Sequence, residues 1–322
     1  MSCQQGLAHE YEQLRQAQFD PARRSTAPGQ WQALVGKYRR ALQNHADLET
    51  SRGLARALWR WSMALNAAGN AVGAVEAGRQ AASEFDSVFR KTLDWDADER
   101  SPVVDEALAE LLVARTDLAE MLAGAGALDE RIRVLEDARE AGHSLEGGPR
   151  TRRALGTVHH NLSNAETARL LDAVRRGQGG IDPTVPTLSA SRAVEIRQGL
   201  IDPRDPLTLW ELANSYIQYL RCLGMVEELD RAVMVVNLAA KLIATMPAGT
   251  PADLRPQLDI TVDMLRTAYP GHARQLAKAY QAGAATAYHH VSGSGVPTAA
   301  TVRVRRNGCD RIAARGAGGS GT

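Results

Sequence analysis

The feature that most constrains this 322-residue chain is a helical hydrophobic rhythm, recurring almost throughout and cut only by short, chemically explicit breaks. The breaks read "DPARRSTAPG" (20–29), "AAGN" (67–70), "DADERSP" (96–102), "AGAG" (123–126), "EGGPR" (146–150), "GQGGIDPTVP" (177–186), "IDPRDP" (201–206), "MPAGTP" (246–251) and "YPG" (269–271). Clusters of glycine, proline and aspartate end one helix and start the next. Pro102, Pro206 and Pro251 each fall where a first-turn proline sacrifices no hydrogen bond. No alternating strand pattern precedes the C-terminal tail. Roughly a dozen antiparallel helices joined by short turns follow from this pattern. The expected class is all-α.

Composition says how such helices must pack. Aromatics are only 5% of the chain, so alanine, leucine and valine must fill the core. Small side chains allow close helix approach and favour many thin contacts over one thick core. The net charge of +1 supplies no global field for nucleic acid or a membrane surface. Cys3, Cys222 and Cys309 are far apart and define neither a disulfide framework nor a metal spacing. The start "MSCQQGLAHEYEQL" lacks the layout of a signal peptide. The most apolar stretch, "AVMVVNLAAKLIATM", is interrupted by Asn237 and Lys241 and is too short to span a bilayer. A cytoplasmic protein without membrane contact is expected. Arginine far outnumbers lysine, as in proteins of GC-rich bacteria.

A repeat emerges when Gly69, Gly126 and Gly224 are aligned. Leu65, Leu122 and Leu220 lie four residues before them, and Trp61, Leu118 and Tyr216 eight before. Five, nine and twelve residues after each glycine come Ala74, Gly78 and Ala81; Arg131, Leu135 and Ala138; and Leu229, Val233 and Val236, small or aliphatic except for Arg131. This layout resembles the tetratricopeptide repeat over residues 30–245. "AVEIRQGLIDPRDPLTLWELANSYIQYLRCLG" (193–224) resembles the longer repeats of kinesin-light-chain-type arrays, with "YRRALQNHADLETSRGLARALWRWSMALNAAG" (38–69) in the same order. The glycine spacings, 57 and 98 residues, are no clean multiple of the usual ~34, so some repeats are lengthened. The resemblance implies a right-handed α-solenoid of helix hairpins over 30–290, preceded by an N-terminal helix and linker (1–29).

The same resemblance assigns sides to the tryptophan pair in "LWRWSMAL" (58–65). Residues eight before the turn glycine pack between paired helices, which implies a structural role for Trp61. Residues ten and six before it face a concave groove, which implies Trp59 and Met63, Thr116 and Glu120, and Asn214 and Gln218. Arg56, Asn66, Glu211 and Arg221 share that side. A groove tryptophan is a good binding anchor, offering large area at low entropy cost. The alternative is that Trp59 packs on the preceding helix, near Trp31 and Tyr38. The Lys/Asn clamp of chaperone-binding members is not matched, since Trp59 and Met63 stand in its first positions.

The implied function is a non-catalytic adaptor binding a protein or peptide, such as an ATPase, a protease-like protein or a regulatory protein. A sensor of small molecules or signalling peptides, and an enzyme with an unrecognised helical site, remain as alternatives. No cofactor or metal is expected. The only Gly-Lys, Gly36-Lys37, continues into Tyr38 and forms no phosphate loop. His159-His160 and His289-His290 are adjacent and diverge by about 100° on a helix, which suits no shared ligand. Residues 291–322 are rich in glycine, serine and arginine, with Arg303, Arg305, Arg306, Arg311 and Arg315 against Asp310. Disorder is expected there, with at most weak contact to nucleic acid or an acidic partner.

Overall fold

The computed structural model describes residues 3–17, 25–95, 101–145, 147–246 and 250–290. These form α1 (Cys3–Ala17), α2 (Ala27–Asn44), α3 (Leu48–Ala67), α4 (Ala71–Trp95), α5 (Pro102–Gly124) and α6 (Leu128–His143). They continue with α7 (Pro149–Arg175), α8 (Thr184–Gln198), α9 (Pro206–Met225), α10 (Leu229–Ala244), α11 (Arg255–Ala268) and α12 (Ala273–His290). No strand occurs among the described residues. The expected disordered tail lies outside them.

Most helix starts follow the chemistry of the breaks, but the turn at 45–47 between α2 and α3 carries neither glycine nor proline and is not among them. The Asp47 carboxylate accepts from the Thr50 amide at 2.8 Å and caps α3. Ser101 and Asp205 cap α5 and α9, and Pro102 and Pro206 open those helices. Pro251 does not open one. Helix α11 begins four residues later, and Pro256 takes the first-turn position.

Packing is close to one-dimensional. The substantial contacts join helices one or two places apart in the chain. The core is a series of leucine- and alanine-rich clusters, passing from Trp31, Leu34 and Leu58 through Leu108, Leu111 and Leu112 to Ile217, Leu220 and Val236. Helix α10 shows how a broken apolar run still buries well. Asn237 donates from Nδ2 to the Ala279 carbonyl of α12 at 3.0 Å. Gly283 allows that approach, for a Cβ there would lie 2.4 Å from the Asn237 carbonyl oxygen. Among the described residues, no helix is long and apolar enough to cross a membrane.

Four helix–helix corners share one hydrogen-bond pattern, in which an amide bonds the carbonyl five residues back. The pairs are Asn70 to Leu65, Ala127 to Leu122, Gln178 to Ala173 and Glu228 to Leu223. This closure needs one left-handed residue, here Gly69, Gly126, Gly177 and Glu227. The expected turn at Gly224 is therefore corrected: that glycine lies inside α9, buried, where a Cβ would come within 2.6 Å of Leu265 of α11. The corner sits three residues later. Corners at 69, 126, 177 and 227 are spaced by 57, 51 and 50 residues, a far more regular period than the glycine alignment gave.

Glu227 (φ 57°) bears a left-handed strain that glycine avoids. Glu227→Gly is expected to stabilise the protein by about 1 kcal/mol and Gly126→Ala to destabilise it by about 1–2 kcal/mol. Urea unfolding midpoints check both, and a Glu227→Gly midpoint at or below that of the parent protein contradicts the assignment.

Candidate functional site

A cleft of about 460 Å³ opens where α3, α5, α7 and α9 lie side by side, with α4 behind them. Trp59, Phe85, Ala109, Val113, Ala154 and Thr157 form its walls, and Glu106, Glu110, Arg150, Arg153 and Glu211 its charged surface. The small residues Ala109 and Ala154 leave the space between facing helices that larger side chains would fill.

Ion pairs tie the lining helices together. Arg52 and Arg56 of α3 reach Glu110 of α5 at 2.7 and 2.5 Å, and Arg52 also meets Glu106 at 3.0 Å. Arg150 of α7 reaches Glu106 from the other side at 3.2 Å. Burial pushes the Glu106 carboxyl up, but Arg52, Arg150 and Arg56 together bring it below its ordinary range. Farther along, Arg153 of α7 meets Glu211 of α9 at 3.3 Å.

Trp59 is half-buried and fixed at its polar edge. Its Nε1 donates to Asp117 Oδ2 of α5 at 2.7 Å, while the Arg60 guanidinium lies 4.5 Å from the ring centroid. Burial raises the Asp117 carboxyl despite this bond. The indole also packs against both the Trp31–Tyr38 cluster and the Phe85–Leu108 cluster. Trp59 thus covers core and also lines the cleft. Trp61 is half-buried as well, between the Leu58 and Leu118 clusters.

The other expected groove residues divide. Glu211 lines the cleft, while Arg56 does not line it and reaches it only through its pair with Glu110. Met63, Asn66, Glu120 and Arg221 are exposed but line no part of it. Glu120 is paired with Arg131 at 2.8 Å, and Arg221 donates to the Thr261 hydroxyl of α11. Thr116 and Gln218 are covered, at 6% and 3% exposure, which corrects their placement on an open face. Thr116 donates back to the Leu112 carbonyl, and Gln218 donates to Ser163 and Thr167 across the α7–α9 contact. Asn214 is half-buried against His160. Phe85, Val113, Arg150, Arg153 and Thr157 are cleft residues that the glycine alignment missed. Three of them stand on α7, whose corner glycine Gly177 sits inside a stretch that reads as a loop.

Titratable groups near the cleft serve packing. His159 faces α6, its Nε2 lying 3.0 Å from that of His143, whereas His160 faces Asn214 and Ser215 of α9. Burial, reinforced by nearby positive groups, pushes each of these two imidazoles down to about 3, so both are neutral. Cys222 is buried among Ser163, Thr167 and Gln218, and burial pushes its thiol up, away from nucleophilic character. Among the described residues no group of three or more His, Cys, Asp or Glu side chains could hold a metal ion.

No family model matches the chain, and no curated protein matches it. Among solved structures the chain is similar to BtubC (BKLC) from P. vanneervenii, with a TM-score of 0.44 and 16% sequence identity. The likeness covers 78% of this chain and 95% of that one. The all-helical fold rests on the hairpins and corners themselves.

Proposed function

We propose that this chain is a non-catalytic protein- or peptide-binding scaffold, a right-handed solenoid of tetratricopeptide-like hairpins working in a bacterial cytoplasm. The observation that carries the proposal is the cleft. An aromatic anchor, apolar walls and paired charges lie on neighbouring helices of a stack, a surface able to hold an extended segment or a helix. The partner would supply any catalysis, as an ATPase, a protease-like protein or a regulatory protein would. The charges within the cleft are largely paired with one another, so recognition would rest on apolar contact at the centre with polar groups at the rim.

Blocking the cleft without touching the core tests this. Val113 is 37% exposed on the cleft wall, and Val72 of α4 is 83% exposed elsewhere. Tagged protein should retain a stoichiometric macromolecule from native lysate, Val113→Arg should weaken that binding by at least about tenfold, and Val72→Arg should leave it intact. Retention unaffected by Val113→Arg, or no macromolecule retained at all, contradicts the proposal.

A further inference from the structure

Helix α7 holds two adjacent imidazoles in the middle of the stack, and they point into different joints. His159 is 4% exposed and meets His143 of α6, Nε2 to Nε2, at 3.0 Å. His160 is 8% exposed and meets Asn214 and Ser215 of α9 at 3.3 and 3.4 Å. Neighbours on a helix diverge by about 100°, so a single turn of α7 sets a titratable ring in the contacts on both of its sides.

Neither joint offers a counter-charge. The groups that act on His159 are His143 and Arg139 of α6 and Arg192 of α8, and those that act on His160 are Arg197 of α8 and Arg221 of α9. All are cationic or become so in acid. Helix α5 meets α7 through Asp105, which accepts from the Thr151 amide at 3.0 Å, and none of its charges acts on either imidazole. The His159 Nδ1 is buried without an acceptor, and the Ser215 hydroxyl beside His160 already accepts from Arg197 at 2.5 Å. Arg197 is itself 5% exposed, and its hydrogen bonds go to the Glu211 carbonyl and the Ser215 and Thr157 hydroxyls, none of them a carboxylate. An imidazolium at either position would be a buried cation among cations, so the proton enters only when the contact opens. His143 is exposed, and its protonation sets a further positive charge against His159. The contact with α8 differs. There the Glu166 carboxylate of α7 accepts from Ser189 at 2.9 Å, and burial raises its carboxyl, so acid neutralises this group without weakening the contact.

We propose that α7 is a proton-sensitive joint: mild acid parts it from α6 and α9 first, opening the array in its middle while the stacks on either side stay folded. In a nearly one-dimensional stack each contact contributes separately, so a loss confined to two contacts leaves the others intact. The opened segment binds protons at ordinary imidazoles. Between pH 7 and pH 5 each freed ring favours opening by about 25-fold, and the two together by roughly six hundredfold. Arg150, Arg153, Ala154 and Thr157 of α7 and Glu211 of α9 line the cleft, so the same step takes the cleft apart.

Hydrogen–deuterium exchange of the full chain at pH 7 and pH 5, corrected for the intrinsic pH dependence of exchange, tests the joint. Peptides from α7 should lose about a hundredfold or more in protection, and those from α3, α4, α10 and α12 less than about tenfold. Replacing both rings, His159→Gln with His160→Asn, should remove the selective loss. That holds whatever the double change does to stability at pH 7, because the comparison is between two pH values within one protein. His143→Gln, at the exposed partner, should shrink the loss in part. The proposal is overturned if protection falls by the same factor along the whole stack, or if α2 and α12 at the ends open before α7. It is equally overturned if α7 is as protected at pH 5 as at pH 7, or if the double variant keeps the selective loss.

Discussion

Between pH 7 and pH 4.5 the folded state should lose about 5 kcal/mol of stability through two adjacent side chains, His159 and His160. Both are held neutral, pushed from 6.5 to about 3 chiefly by burial. His143, Arg139 and Arg192 add to the shift at His159, and Arg197 and Arg221 at His160. The unfolded chain takes up protons below 6.5 while the folded chain refuses them. The stabilising term is thus complete above 6.5 and is lost as the pH falls toward 3, at about 1.4 kcal/mol per pH unit for each group. Asp117 and Glu166, raised by burial, act in the opposite sense and offset part of the loss. Urea melts across this range check the slope. His160→Asn, which keeps a polar group toward Asn214 and Ser215, should remove about half of it. A midpoint that stays level between pH 6.5 and 4.5 would show that neither imidazole is buried neutral.

Replacing Trp59 should be the most damaging single change near the cleft. Trp59→Ala removes an indole that bridges two core clusters and strands the Asp117 carboxylate, at an expected cost of about 3–5 kcal/mol. Trp61→Ala also removes a ring lying between two clusters but strands no buried carboxylate, and should cost less, about 1–3 kcal/mol. That order reverses what the repeat register alone implies, where Trp61 is the structural residue and Trp59 the surface one. Trp59→Phe isolates the hydrogen bond and should cost about 1–2 kcal/mol, while Asp117→Asn keeps an acceptor and should cost less. Denaturant unfolding of the four variants decides the matter. Trp61→Ala more damaging than Trp59→Ala would restore the register-based assignment.

The helices were legible because their signals are local. Caps such as Ser101 and Asp205 and first-turn prolines act within a few residues, so those breaks in the sequence mark real ends, whereas the turn at 45–47, with Asp47 as its cap but no glycine or proline, does not stand out. The corners were half legible. Gly69 and Gly126 occupy left-handed positions, as a glycine at a helix end suggests, but Gly224 serves a different need, the close approach of Leu265. Its corner falls on Glu227, a residue whose type gives no hint of a positive φ. The error of three residues is nearly a full helical turn, so Leu220 and Tyr216 still read as core, and both are buried. It nonetheless moved Gln218 onto an apparent groove, when its amide is used between α7 and α9. The cleft was least legible because it depends on Arg150, Arg153 and Thr157 of α7 meeting residues on α3, α4, α5 and α9. No local pattern reports which distant helix a side chain will face.

Hydrogen–deuterium exchange with and without the retained partner tests the cleft most directly. The expected result is added protection in peptides from α3, α5, α7 and α9, lost in Val113→Arg, with α6, α8 and α10 little changed. Protection concentrated on those even-numbered helices, with the cleft helices unaltered, would place the binding surface on the other side of the stack and contradict the account.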